Sequence, residues 1–61
     1  MEFSKFDIKE YKTVWGLEES TLDEQVNYWI NLGWIPYGNP YVVKTEKGNT
    51  FYNQAMIEIN D

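Results

Sequence analysis

Neither cysteine nor histidine occurs in this 61-residue chain, and that double absence narrows its routes to a stable fold more than any motif does. Chains this short bury a thin core and are commonly held by disulfides, a bound metal or a partner chain. Without cysteine there is no disulfide, and without cysteine or histidine the usual ligands for zinc, copper and iron are missing. The energetics are close. Surface scaling for 7.3 kDa gives roughly 6,400 Å² buried on folding, worth on the order of 95 kcal/mol if about 60% is apolar. Ordering the backbone and side chains costs roughly 90 kcal/mol. Self-association, as a homodimer or higher oligomer, is therefore the expected staple.

Three Trp, five Tyr and three Phe make up 18% of the residues, more rings than a minimal core needs. The surplus points to an interface, where Tyr and Trp are favoured. Ten acidic residues face five lysines and no arginine, for a net charge of −5. Polymeric DNA or RNA is thereby excluded as an expected partner, because affinity rests on neutralised phosphates and base reading on Arg. No apolar run reaches membrane-spanning length and no signal peptide is recognisable. The expected location is cytoplasmic, in whatever cell the protein acts.

The chain divides into an N-terminal arm, residues 1–9, and a single domain over residues 10–61. Within the domain, residues 10–15 are β-branched and aromatic and predict a strand ended by Gly16. Thr21-Leu22-Asp23-Glu24 has the capping-box pattern, with Thr21 as N-cap. Glu18, Glu19, Asp23 and Glu24 suit the positive end of the helix dipole. Leu22, Val26, Trp29 and Ile30 form one apolar stripe, predicting a helix over 21–32. Gly33 is its expected left-handed stop, with Trp34 packing back on Trp29.

Pro36 and Pro40 bar the next extended segment from a central strand. Residues 41–45 resume as strand, 46–49 form a hairpin turn, and 50–59 form the longest strand, expected at the centre. The predicted fold is α+β: β-α-β-β, a three-stranded, largely antiparallel sheet with one helix packed on one face. Alternation along the last strand assigns Phe51, Ala55, Ile57 and Ile59 to the helix side, with Asn53 as an exception. Tyr52, Gln54, Met56 and Glu58 then point to the open side. Tyr11, Tyr37 and Tyr41 can join them, subject to a bulge near Pro40 that would turn Tyr41 over.

Tyr11-Lys12-Thr13-Val14, the helical Val26-Asn27, Gly33-Trp34-Ile35-Pro36-Tyr37-Gly38 and Tyr52-Asn53-Gln54-Ala55-Met56 together resemble a family of very short bacterial and phage proteins known only as a domain of unknown function. The resemblance covers residues 10–58. Asn39-Pro40 departs from it where a second glycine is often found, and the N-terminal arm is extra. What the resemblance implies is an accessory protein, in a phage setting one acting against host defence.

General acid–base catalysis most often uses His, which is absent. The acids of residues 18–24 have a structural explanation, and no pattern marks a base for a Ser or Thr nucleophile. Glu46-Lys47-Gly48-Asn49 is too short for a phosphate loop. No EF-hand spacing occurs. The expectation is a non-catalytic binding protein without cofactor or metal. One version is an oligomer holding a small nucleotide-like ligand at Tyr11, Tyr37, Tyr41, Tyr52, Gln54 and Met56, with Lys44 and Lys47 meeting a phosphate. Another is an acidic inhibitor that presents Glu18, Glu19, Asp23 and Glu24 to a basic site on a host protein. A third is a structural accessory subunit.

Overall fold

The computed structural model describes residues 7–60. Strand β1 (Ile8–Gly16) leads into helix α1 (Glu19–Asn31), followed by β2 (Ile35–Lys44) and β3 (Thr50–Ile59). The strands form one antiparallel sheet in the order β1-β3-β2. This is the predicted architecture, with the proline-free β3 at the centre and the proline-bearing β2 at an edge. Strand β1 begins two residues before the expected domain boundary at Glu10; residues 1–6 of the expected arm lie outside the described residues.

The helix starts earlier than the capping pattern indicated. Glu18 is its N-cap, in extended conformation and without a side-chain cap hydrogen bond; Leu22 N–H donates to the Glu18 carbonyl at 3.0 Å. Thr21 therefore lies inside the first turn, and the expected capping box does not form. The reason is the tight entry from β1. A Cβ built on Gly16 would stand 2.7 Å from the Leu22 nitrogen and 2.9 Å from Thr21 Cβ. The first turn rests directly on Gly16, so only Leu17 and Glu18 connect the strand to a helix that begins at Glu19.

The other end behaves as the sequence indicates. Gly33 has φ +96°, its N–H donates to Ile30 O, and Trp34 N–H donates to Trp29 O, each at 3.0 Å. These are the two bonds of a Schellman close. The Trp29 and Trp34 rings meet edge to face at 5.7 Å between centroids, the apolar contact that accompanies such an end.

One correction concerns the sheet. The buried cluster under the helix joins Val14, Leu22, Trp34 and Met56, with Val26, Trp29 and Tyr52 packed against it. Tyr52, Gln54 and Met56 thus face the helix, and Phe51, Asn53, Ala55, Ile57 and Ile59 face the other way, the reverse of the expected assignment. Ile30, placed in the helix stripe from spacing, is 43% exposed.

The reason for the reversal lies in β2. Tyr37 pairs with Ala55 and Tyr41 with Asn53, so residues 38–40 stand opposite Gln54 alone. Carbonyls in this bulge lose their ladder partners, and the Gln54 amide replaces them. Its Nε2 donates to Gly38 O at 3.1 Å, Tyr37 O at 3.3 Å and Ala55 O at 3.0 Å. A polar residue at the covered position makes that face look like the solvated one in sequence. Gln54 is only 5% exposed, and the expectation of an outward-facing amide is overturned.

Candidate functional site

The side of the sheet away from the helix is built from alternate residues of all three strands. Cross-strand partners share a face, and the register fixes the rows: Trp15, Asn53 and Tyr41; Thr13, Ala55 and Tyr37; Tyr11, Ile57 and Ile35. Phe51 and Val43 form a further row at the hairpin end. The Trp15 and Phe51 rings meet edge to face at 5.5 Å, which bridges two rows diagonally. Asn53 lies among them, but its Nδ2 is turned to the backbone, donating to Phe51 O at 3.0 Å.

Ile57 at the centre is sealed, while Tyr11, Trp15, Tyr37, Tyr41 and Val43 around it are 45% to 59% exposed. No Asp, Glu or Lys occupies any of these rows. The bulge preserves this arrangement. Two extra residues between Tyr37 and Tyr41 keep both tyrosines on one side, where a single extra residue would have turned Tyr41 over.

The residues expected to form one site are thus divided. Tyr11, Tyr37 and Tyr41 share the face away from the helix; Tyr52, Gln54 and Met56 lie beneath or beside the helix. Lys44 pairs with Thr50 on the helix side of the sheet, and Lys47 lies in the hairpin turn held by Thr45 N–H to Asn49 O at 2.8 Å. Neither lysine stands in the rows of aromatic residues. Trp15, Val43 and Phe51 complete the face and were not singled out from sequence. The alternation Tyr11, Thr13, Trp15 along β1 was the signal that could have found Trp15.

The acidic residues are exposed at the start of α1. Glu19 and Asp23 line a cleft of about 330 Å³ between the helix and β2, together with Leu22, Pro40, Tyr41, Val42 and Tyr52. Glu18 lies instead beside the β1–α1 junction, in a cleft with Trp15, Leu17, Thr21 and Gln25. Among the described residues, no group of three or more acidic side chains is placed to hold a metal ion. No helix among them is long and apolar enough to cross a membrane.

The stretch from Ile8 to Glu58, which contains the helix and all of the sheet but Ile59, matches the family described as "Domain of unknown function (DUF1737)". The chain belongs to this family. No curated protein and no solved structure matches the chain. The match to DUF1737 over residues 8–58 takes in all three elements that supply the uncovered face, so in this DUF1737 protein that face is part of the domain itself. The bulge, its Gln54 plug and the Schellman close fall within the same limits.

Proposed function

We propose that this DUF1737 domain is a non-catalytic interaction module that works through the uncovered face of its sheet. The observation that carries the reading is that the more apolar side of the sheet is the one the helix does not cover, with exposed rings around the buried Ala55 and Ile57. Exposed apolar residues scattered singly are ordinary, but contiguous patches mark binding surfaces. Here Tyr11, Trp15, Tyr37, Tyr41 and Val43 are contiguous by register. Their rings combine large contact area with few rotatable bonds, which limits the entropy lost on binding. Lys44 and Lys47 stand off the face, and this favours an apolar macromolecular surface over a phosphate-bearing nucleotide.

The test compares the parent with Tyr11→Ser/Tyr37→Ser by circular dichroism, sedimentation, and thermal shift with nucleotides and cyclic nucleotides. Both tyrosines are exposed, so the double variant is expected to keep its fold. Association or ligand stabilisation seen in the parent and lost in the variant supports the reading; the same behaviour in both overturns it.

A second reading rests on the cleft between α1 and β2, where the Glu19 and Asp23 carboxylates stand beside the apolar wall of Leu22, Val42 and Tyr52. That combination suits a Lys or Arg side chain of a partner protein, whose charge meets the acids while its stem lies along the wall. Glu19→Gln/Asp23→Asn would abolish such binding and leave contacts of the sheet face unchanged.

A further inference from the structure

We infer that the occupant of the sheet face that α1 leaves bare is a second copy of this chain, docked face to face about a two-fold axis. The inference rests on the reading of that face as the interaction surface and names its partner. Three observations carry it: area, charge and the position of the helix.

The exposed parts of Tyr11, Trp15, Tyr37, Tyr41 and Val43, with the half-buried Phe51, Ile35 and Asn53, present on the order of 600 Å² per copy, taking aromatic side chains at about 200 Å² each. Two such faces in contact bury about 1,200 Å², the lower bound for a stable specific interface. The face reaches this size only if the whole of it is used, which a flat, self-complementary partner does.

Charge decides which surface two copies can share. Each chain carries −5, and like-charge contact opposes association. This face has no Asp, Glu or Lys in its rows, and Glu18, in the cleft beside Trp15, borders it at one corner, so the contact brings little ionic repulsion. Glu19, Asp23 and Glu24 belong to the helix on the opposite side of the sheet. With sheets packed about 10 Å apart and each helix on the outside, the acidic clusters of two copies are separated by far more than the Debye length of about 8 Å at physiological salt.

A two-fold contact is isologous: each residue that meets a partner on one copy meets it again on the other. Trp15 and Tyr11 on one edge strand, with Tyr37 and Tyr41 on the other, then frame a shared apolar layer over Ala55 and Ile57. The pairing also adds a layer over the side of the sheet that α1 does not cover, where a 61-residue chain without disulfides gains further burial.

The experiment is sedimentation of the full chain over a concentration series, alongside Tyr37→Lys and Tyr11→Lys on the bare face and Leu32→Lys at the exposed helix end. Circular dichroism monitors folding, and the hydrophobic dye ANS reports an accessible apolar face. The parent and Leu32→Lys are expected to sediment at twice 7.3 kDa, while each tyrosine variant stays folded and dissociates at least about tenfold more readily. Two edge strands are tested, so one variant that fails to fold leaves the other to decide.

Self-association that survives both tyrosine variants overturns the inference and the functional reading together. A parent that remains a 7.3 kDa particle overturns the two-fold pairing. If that monomer binds ANS and Tyr37→Lys does not, the face still serves a different partner. A monomer that binds no dye has its face covered by its own residues, and both readings fall.

Discussion

The Lys12 ammonium lies 3.2 Å from the centre of the Trp29 ring and 4.4 Å from that of Trp34. One cation thereby joins β1 to the last turn of α1 and to the residue that closes it. The indole faces offer the negative side of their quadrupoles, and the four-carbon stem of Lys12 lies half-buried against the core. The lysine works here as packing material with a charged tip.

Lys12→Met, which keeps most of the stem and removes the charge, should cost about 0.5–2 kcal/mol. Urea unfolding measures the loss, and tryptophan emission should change with it because two of the three indoles lose their cation. An unchanged midpoint would mean that the stem alone accounts for the contact.

Glu18 stands at an N-cap position without a capping side-chain bond. Glu18→Ser should therefore stabilise the domain by roughly 0.5–1 kcal/mol, since Ser accepts from the free N–H groups of the first turn. Thr21→Ala should be within about 0.5 kcal/mol of neutral, because Thr21 is an exposed helical residue and alanine has the better propensity. Thermal unfolding of both variants decides the matter; a marked loss for Thr21→Ala would return the helix start to that residue.

Two glycines should respond differently to alanine. At Gly33 no atom obstructs a Cβ within 4 Å, and only the φ of +96° opposes it, so Gly33→Ala should cost about 1 kcal/mol. At Gly16 the Cβ would meet backbone of the first helical turn. Gly16→Ala should cost more, about 1–3 kcal/mol through overpacking, and should loosen α1 against β1. Hydrogen exchange at Leu22 and its neighbours reads the second effect.

Gln54→Glu should be the most damaging single change on the covered face. It exchanges an amide whose two N–H groups are shared among three carbonyls for a buried carboxylate directed at those oxygens, at roughly 3 kcal/mol or more when ionised. Burial among acceptors should raise the folded-state pKa of the introduced acid above its unfolded value. The penalty is then largest above that folded pKa and falls away as the pH drops and the carboxyl takes a proton. Stability measured against pH should show a gain on acidification that the parent lacks.

The element order, the central β3 and the Schellman end were legible because each rests on local chemistry: prolines at 36 and 40, Gly33 followed by Trp34, and a long proline-free run after Asn49. The face of the sheet was not legible, because it depends on the bulge opposite Gln54. Alternation ranks faces by apolarity, and here a structural amide lies on the covered side and leaves the more apolar set uncovered. Thr21 misled for a related reason: a capping box is a local pattern, whereas the contact of the first turn with Gly16 is a tertiary one. Of the expected site residues, Tyr11, Tyr37 and Tyr41 belong to one face because the bulge keeps their parity. Tyr52 and Met56 were drawn into the core.

That parity sets a rule for insertions and deletions in the chain. Between Tyr37 and Tyr41 the outer strand carries two residues more than the inner one requires, so length changes of two leave every later side chain where it was. Loss of Asn39 alone would rotate the remainder of β2 by half a turn. Val42 and Lys44 would then take the places of Tyr41 and Val43, putting an ammonium where the sheet now presents only uncharged groups. Sequences of this domain that differ in length at this point should differ by even numbers. An odd change should be accompanied by a swap of polar and apolar residues across 41–44, preserving the character of each face.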